Sequence, residues 1–321
     1  MAQKRDFLGF DDITASELCG LLLRAEELRF LRNTRTASPS RPGAVVALVF
    51  EKSSTRTRVS FEVGVAELGG HAVVLGRDNS QLGRGEPIKD TARVLSGYCH
   101  AIMIRTFGHD IAQELARYAK VPVINGLTDF LHPCQLLADL QTVLGHFGST
   151  RTAGLGALDA EAVLRARKYA WVGDGNNMAN SWIEAAGLLG LDLALACPEG
   201  YEPDAGILAK ARAQKGAQIL VTRDPKEAVA GADVISTDVF TSMGQEAETA
   251  VRLKAFEGYC VDAPLMKLAL PSAMVLHCLP AHRDEEISEE VFEGPQSHVW
   301  RQAENRLHAQ KALLEFLLPA S

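Results

Sequence analysis

The chain of 321 residues carries 33 basic and 40 acidic side chains, a formal net charge of -7, and is 47% apolar and 23% charged. These proportions predict a globular protein of roughly two domains of about 100–200 residues each. The acidic balance argues against a dedicated nucleic-acid binder but leaves room for a local basic pocket. No apolar run approaches the about 18 residues of a membrane span, and the N-terminus shows neither a signal-peptide nor a transit-peptide pattern. The six cysteines form no C-x-x-C pair and read as reduced thiols of a cytoplasmic protein, without a disulfide framework.

Along the chain, 16–31 is an amphipathic helix with Leu18, Leu21, Leu22, Ala25 and Leu28 at helical spacing. Residues 44–50 are a continuous apolar run, the pattern of a strand buried on both faces. A helix over 58–68 stops at Gly69-Gly70. Next come strand 72–75, helix 87–97, strand 101–104, helix 110–119 and strand 121–124. A helix over 133–147 has Pro133 in its first turn. The stretch 148–167 is weakly periodic and marks the domain boundary, giving domains 1–147 and 148–302. The second set has strands at 169–172, 193–196, 218–221, 234–237 and 274–277, with helices at 178–189, 204–215 and 246–255. A last amphipathic helix spans 303–318. The alternation predicts two doubly wound α/β domains with parallel sheets, so ligands are expected beyond the carboxyl ends of the strands.

The residues just beyond each strand are therefore the candidates for chemistry. After 44–50 comes Ser54-Thr55-Arg56-Thr57-Arg58 at the opening of a helix. Free backbone N–H groups, three hydroxyls and two guanidinium forks there suit an anion such as phosphate. Arginine in a first helical turn opposes the helix dipole, which a bound anion would offset. A Walker A loop is absent. Arg105 ends the strand 101–104 and projects toward this cradle. His132-Pro133-Cys134-Gln135 opens the next helix; His132 can donate to a carbonyl oxygen, and Gln135 can pair with an amide-like group. In the second half, Gly173-Asp174-Gly175-Asn176-Asn177 resembles a dinucleotide fingerprint that lacks its third glycine. Asp238, with Ser242-Met243-Gly244 beyond it, is a natural partner for a substrate amine. His277-Cys278-Leu279-Pro280 ends the last strand. A metal site on His277 and Cys278 is not expected, because no second Cys or His stands at ligand spacing.

Taken together, Ser54 to Arg58 and His132-Pro133-Cys134-Gln135 with Leu137-Ala138-Asp139 resemble the two signatures shared by aspartate and ornithine carbamoyltransferases. The motifs at 174–177, at Asp238 with 242–244, and at 277–280 resemble the ornithine branch, and the likeness runs from Arg5 to Leu318. The resemblance implies that Ser54, Thr55, Arg56, Thr57, Arg105, His132, Gln135 and Arg306 hold carbamoyl phosphate, with Gln81 reaching into a neighbouring subunit of a homotrimer or a multiple of trimers. Lys89 lies on the same segment. Asn177, Asp238, Ser242, Met243, Cys278 and Leu279 would take ornithine, with Asp238 and Cys278 near the reacting nitrogen. The site would lie in the cleft between two domains joined by long helices, with 303–318 packing back on the first. Neither metal nor organic cofactor is implied, nor any nucleic-acid or membrane partner. Two departures stand out: Asp284 replaces a frequent glycine near Arg283, and 148–167 is long.

The implied reaction moves the carbamoyl group to the δ-amine of L-ornithine, giving L-citrulline and phosphate. Other acceptors (aspartate, putrescine, an acylated ornithine), a nicotinamide-dependent oxidoreductase using 173–177, and a non-catalytic binding regulator are the competing readings.

Overall fold

The computed structural model describes residues 4–77, 85–148, 156–242 and 246–319. Its contacts divide into two compact units, Met1–Gln141 with Ser149–Leu158 and Glu304–Ser321, and Thr142–Gly148 with Asp159–Ala303. The chain passes between the two units at 141/142, 148/149, 158/159 and 303/304.

In the first unit, α1 (Ala15–Asn33) precedes β1 (Val45–Phe50), α2 (Thr55–Glu67), β2 (His71–Gly76), α3 (Ile88–Tyr98), β3 (Ala101–Arg105), α4 (His109–Tyr118), β4 (Val123–Leu127) and α5 (Pro133–Phe147). The sheet order is β2-β1-β3-β4, all parallel. Val46, Ala47, Leu48 and Val49 are at most 1% exposed, which explains the unbroken apolar run: β1 is covered on both faces. Burying a side chain such as Val or Leu stabilises by about 1.5–3 kcal/mol.

In the second unit, α6 (Ala157–Arg165) leads into β5 (Lys168–Val172), α7 (Asn177–Leu189), β6 (Asp192–Ala196), α8 (Ala205–Arg212), β7 (Gln218–Thr222), α9 (Pro225–Val229), β8 (Val234–Thr237), α10 (Thr249–Ala255), α11 (Ala263–Met266), β9 (Met274–His277) and α12 (Glu289–Phe292). The sheet order is β7-β6-β5-β8-β9, again parallel. Ala170, Val172, Ile235 and Val275 pack with Phe240 and Phe256 in its core. The final helix, α13 (Val299–Leu317), enters the first unit from Glu304 onward. There Glu315 accepts from Arg24 on α1 and Lys311 donates to Glu67 on α2.

Several elements differ from expectation. α2 begins at Thr55, three residues early, because the Ser54 side chain caps it by accepting from Thr57 N at 3.2 Å; its polar first turn conceals the helical period. β4 runs to Leu127, through the turn-like pair Asn125-Gly126. Asn125 is fully buried there and donates to Leu8 O at 3.0 Å. α13 starts four residues early, and 246–255 is a 3-10 turn followed by α10. The sequence pattern does not reveal the short helices α6, α9, α11 and α12; Asp224, Asp262 and Ser288 cap the last three.

Each sheet reverses its winding once. From β1 the chain moves to β2 on one side and β3 on the other, and from β5 to β6 on one side and β8 on the other. The loops after β1 and β3, and those after β5 and β8, therefore meet at crevices beyond strand ends.

Candidate active site

In the first unit these crevice loops carry the predicted anion cradle. Thr57 is fully buried, and its Oγ1 accepts from Arg105 Nη1 at 3.4 Å and Arg306 Nη2 at 3.1 Å. Arg306 Nη1 also donates to Gln135 Oε1 at 2.7 Å, and Gln135 Nε2 to Asp139 Oδ1 at 2.8 Å. Arg105, Arg306, His132 and Gln135 are all at most 8% exposed. β3 stays in register with β1 through Arg105, whereas on its other side the pairing skips Gly126 of β4, the extra residue of a bulge at this rim.

Two guanidinium groups thus meet on one hydroxyl at the N-terminus of α2, and the charge of a third, Arg56, acts on His132 beside them. Burial first, then Arg306, Arg105 and Arg56, hold the His132 imidazole neutral well below its usual range. His132 is therefore a neutral hydrogen-bonding group, not a fourth cation. Burial also pushes the Cys134 thiol up to about 12; it donates to Asn125 O at 3.3 Å and plays a packing role. Lys52, buried just before α2, pairs with Asp129 and lies 4.3 Å from the Phe107 ring centroid.

In the second unit, Asp238 follows β8 directly. Its Oδ1 accepts from Val239 N and from Cys278 Sγ, each at 2.9 Å, and its Oδ2 accepts from Asn176 Nδ2 at 3.0 Å. Asn176 also caps α7, accepting from Met178 N and Ala179 N. Asn177 stands at the first position of that helix, and Ser242 is half-buried. Behind Cys278, fully buried His277 donates from Nε2 to Glu286 Oε1 at 2.9 Å and accepts at Nδ1 from Leu279 N at 2.9 Å, the tautomer being assigned from those partners. This bond helps hold Leu279 at φ +60, a conformation that costs a bulky residue energy.

Asp238, His277 and Cys278 place one potential ligand atom each within 4.8 Å of one another. Sequence spacing does not reveal this grouping, because Asp238 arrives from a different strand. Both ring nitrogens of His277 are already engaged, so a metal would have to displace them. Two other groups escape the sequence pattern. Glu286 holds His277, and Asn176, read only with its neighbours, holds Asp238. Neither has a spacing signal, since Glu286 meets His277 from a loop nine residues on and Asn176 meets Asp238 from the end of a neighbouring parallel strand, 62 residues away.

Gly175 in the Gly173–Asn177 loop does not need a dinucleotide to explain it. A Cβ on Gly175 would stand 2.2 Å from Pro203 N, and Gly175 N donates to Tyr201 O at 2.8 Å. The glycine permits close passage of two chain segments. Next to it, burial pushes the Asp174 carboxyl up to about 6, although Arg252 pairs with it.

Two family descriptions match the chain: "Aspartate/ornithine carbamoyltransferase, carbamoyl-P binding domain" over residues 5–144, and "Aspartate/ornithine carbamoyltransferase, Asp/Orn binding domain" over 165–317. The chain belongs to the aspartate/ornithine carbamoyltransferase family. Among its relatives, the ornithine carbamoyltransferase of Pelobacter propionicus is 56% identical over 98% of both chains. The anabolic ornithine carbamoyltransferase of Pseudomonas aeruginosa is 52% identical over 98% of this chain and 97% of its own. The solved ornithine carbamoyltransferase of Pyrococcus furiosus superposes with a TM-score of 0.89 at 47% identity, covering 98% of this chain and 97% of that one.

Of the residues named for this family, Gln81 and Met243 lie outside the described residues. Thr57, Arg105, Gln135 and Arg306 meet in one hydrogen-bonded set, with the Arg56, Arg105 and Arg306 charges acting on His132. Asp238 and Cys278 meet in another. Lys89 lies in the first turn of α3. Asp284 takes φ +67, a conformation a glycine would also adopt, and accepts from Glu289 N at 3.2 Å. Its neighbour Arg283 pairs with Glu289 and Glu293.

Proposed function

We propose that this chain is the ornithine member of its family: it transfers the carbamoyl group of carbamoyl phosphate to the δ-amine of L-ornithine, yielding L-citrulline and phosphate in arginine metabolism. The observation that carries the phosphate half is the meeting of Arg105 and Arg306 on the buried Thr57 hydroxyl at a helix N-terminus, with neutral His132 beside them. The acceptor half is supported by the 51–56% identity to relatives named ornithine carbamoyltransferase over 96–98% of this chain.

In this reading Ser54, Thr55, Arg56 and Arg306 bind the phosphoryl oxygens. Thr57, Arg105 and His132 face the carbonyl oxygen, and Gln135 takes the carbamoyl –NH2. The neutral δ-amine attacks the carbonyl carbon. A C–N bond forms, the C–O bond to phosphate breaks, and one amine proton leaves with the phosphate. Donors already placed around the developing oxyanion lower that barrier. A free alkylammonium has a pKa of about 10.4, so the amine must shed a proton first. Asp238 and Cys278, already hydrogen-bonded to each other, are the groups proposed beside it. Asn177, Ser242, Met243 and Leu279 bind the rest of ornithine.

The enzyme is proposed to be a homotrimer, or a multiple of trimers, in which Gln81 completes a neighbour's site, and to act in the cytoplasm. The six free cysteines fit that compartment. Among the described residues no helix is long and apolar enough to cross a membrane.

The test is an acceptor panel with carbamoyl phosphate, in which ornithine, N-acetylornithine, putrescine and aspartate compete and products are separated. Citrulline as the dominant product is expected; preferential carbamoylation of another acceptor would refute the assignment.

A further inference from the structure

Arg252 lies on α10, is 4% exposed, and belongs to none of the family motifs. Its guanidinium faces three acceptors, the outermost being Glu248 Oε2 at 3.7 Å from Nη1. Nε donates to Phe240 O at 2.5 Å, and Nη2 pairs with the Asp174 carboxylate. The planar group lies over Tyr201, 4.7 Å from the ring centroid, with Phe256 at 5.7 Å. Two residues beyond Asp174, Asn176 Nδ2 donates to Asp238 Oδ2. Two residues before Phe240 stands Asp238 itself. The bonds therefore close a ring: Arg252 to Asp174, along the chain to Asn176, across to Asp238, along the chain to Phe240, and back to Arg252.

We infer that Arg252 is a positioning residue for the acceptor half of the reaction, fixing the Asp238 carboxylate and the start of the 238–242 loop by tying both arms of this ring together. The inference rests on the proposed ornithine reading of those residues. A guanidinium fork can serve two acceptors at once, whereas a lysine ammonium on a flexible stem cannot keep the same geometry. The ring contains no residue of the carbamoyl phosphate set, so its loss should fall on one substrate.

The experiment uses the full-length enzyme and the variants R252M, R252K, D174N and R252M/D174N, each measured for KM toward both substrates and for Tm. In R252M, which keeps the packing volume, the KM for ornithine is expected to rise at least about tenfold with the KM for carbamoyl phosphate within about twofold of wild type. R252K should resemble R252M. The double variant should be no worse than the weaker single, because residues of one network are not additive. An ornithine KM within twofold of wild type in R252M, a full rescue by R252K, or a parallel rise in both KM values overturns the inference, the last being the sign of loosened packing. If R252M does not fold, R252K and D174N carry the same expectation. A wild-type enzyme that prefers another acceptor would overturn the ornithine reading itself, and this is read before any variant.

Discussion

Thr57 joins the start of a helix to two buried arginines. Its backbone N–H is capped by Ser54 while its hydroxyl accepts from two arginines on β3 and α13. We predict that Thr57→Val, which keeps the shape and removes the acceptor, lowers kcat/KM by on the order of 10²-fold with the fold intact, measured by steady-state kinetics and circular dichroism. Unchanged kcat/KM would remove Thr57 from the chemistry. On the acceptor side, Asp238→Ala deletes the carboxylate that meets Cys278 and Asn176. Carbamoyl phosphate affinity should be spared and use of ornithine lost; ornithine kinetics like those of wild type would refute its role. The proposed anion site at Ser54 to Arg58 was suggested by the sequence because five adjacent polar donors at a strand–helix junction form a local pattern. The bond of Arg306 to Gln135 spans 171 residues of sequence, and no local pattern carries it.

At the scale of elements, α13 carries a buried histidine, His308, that predicts a contribution to acid sensitivity. His308 is fully buried with neither ring nitrogen hydrogen-bonded. Burial, then Lys311, Arg32 and Arg29, depress it to about 3, from 6.5. The unfolded chain therefore binds a proton that the folded one refuses between about pH 6.5 and 3. Stability is lost as pH falls through that window, by about 1.4 kcal/mol per pH unit from this group. His308→Met should remove part of the acid sensitivity, read as a smaller drop in Tm from pH 7 to pH 4.5; an identical drop would show that His308 does not titrate on unfolding. At α8, Asp204 accepts from Ile207 N at 2.9 Å. Asp204→Ala should cost about 1 kcal/mol, seen in denaturant midpoints, without changing turnover. Long periodic helices and apolar strands were legible because burial of one face dictates residue type along the chain. α9, α11 and α12 have only four or five residues each, too few to show a period, and Asn125-Gly126 reads as a turn until neighbouring strands supply its partners.

For the whole molecule, binding and assembly are linked to stability. A ligand at 100 times its Kd stabilises the folded state by about 2.7 kcal/mol. Carbamoyl phosphate should therefore raise the Tm of wild type but not of Arg105→Leu; an equal rise in both would place the anion elsewhere. The proposed sharing of Gln81 between subunits predicts that two inactive variants, Gln81→Ala and Arg105→Leu, regain activity when dissociated and reassociated together. No recovery in mixed oligomers would argue against a shared site. Two parallel-sheet α/β units were foreseeable from the alternation of buried strands and amphipathic helices, since a parallel strand pair requires a crossover and each crossover buries a face. Residue types after the strands raised the expectation of an anion site at Ser54 to Arg58, whereas the expectation of an amine acceptor leaned on the family resemblance. Tertiary structure alone decided which groups meet: that Thr57 gathers Arg105 and Arg306, that Asp238 is held by Asn176 and Cys278, and that Glu286 orients His277. Those pairings depend on strand order and on where the chain reverses, and both are set by packing of distant segments, for which neighbouring residues leave no trace.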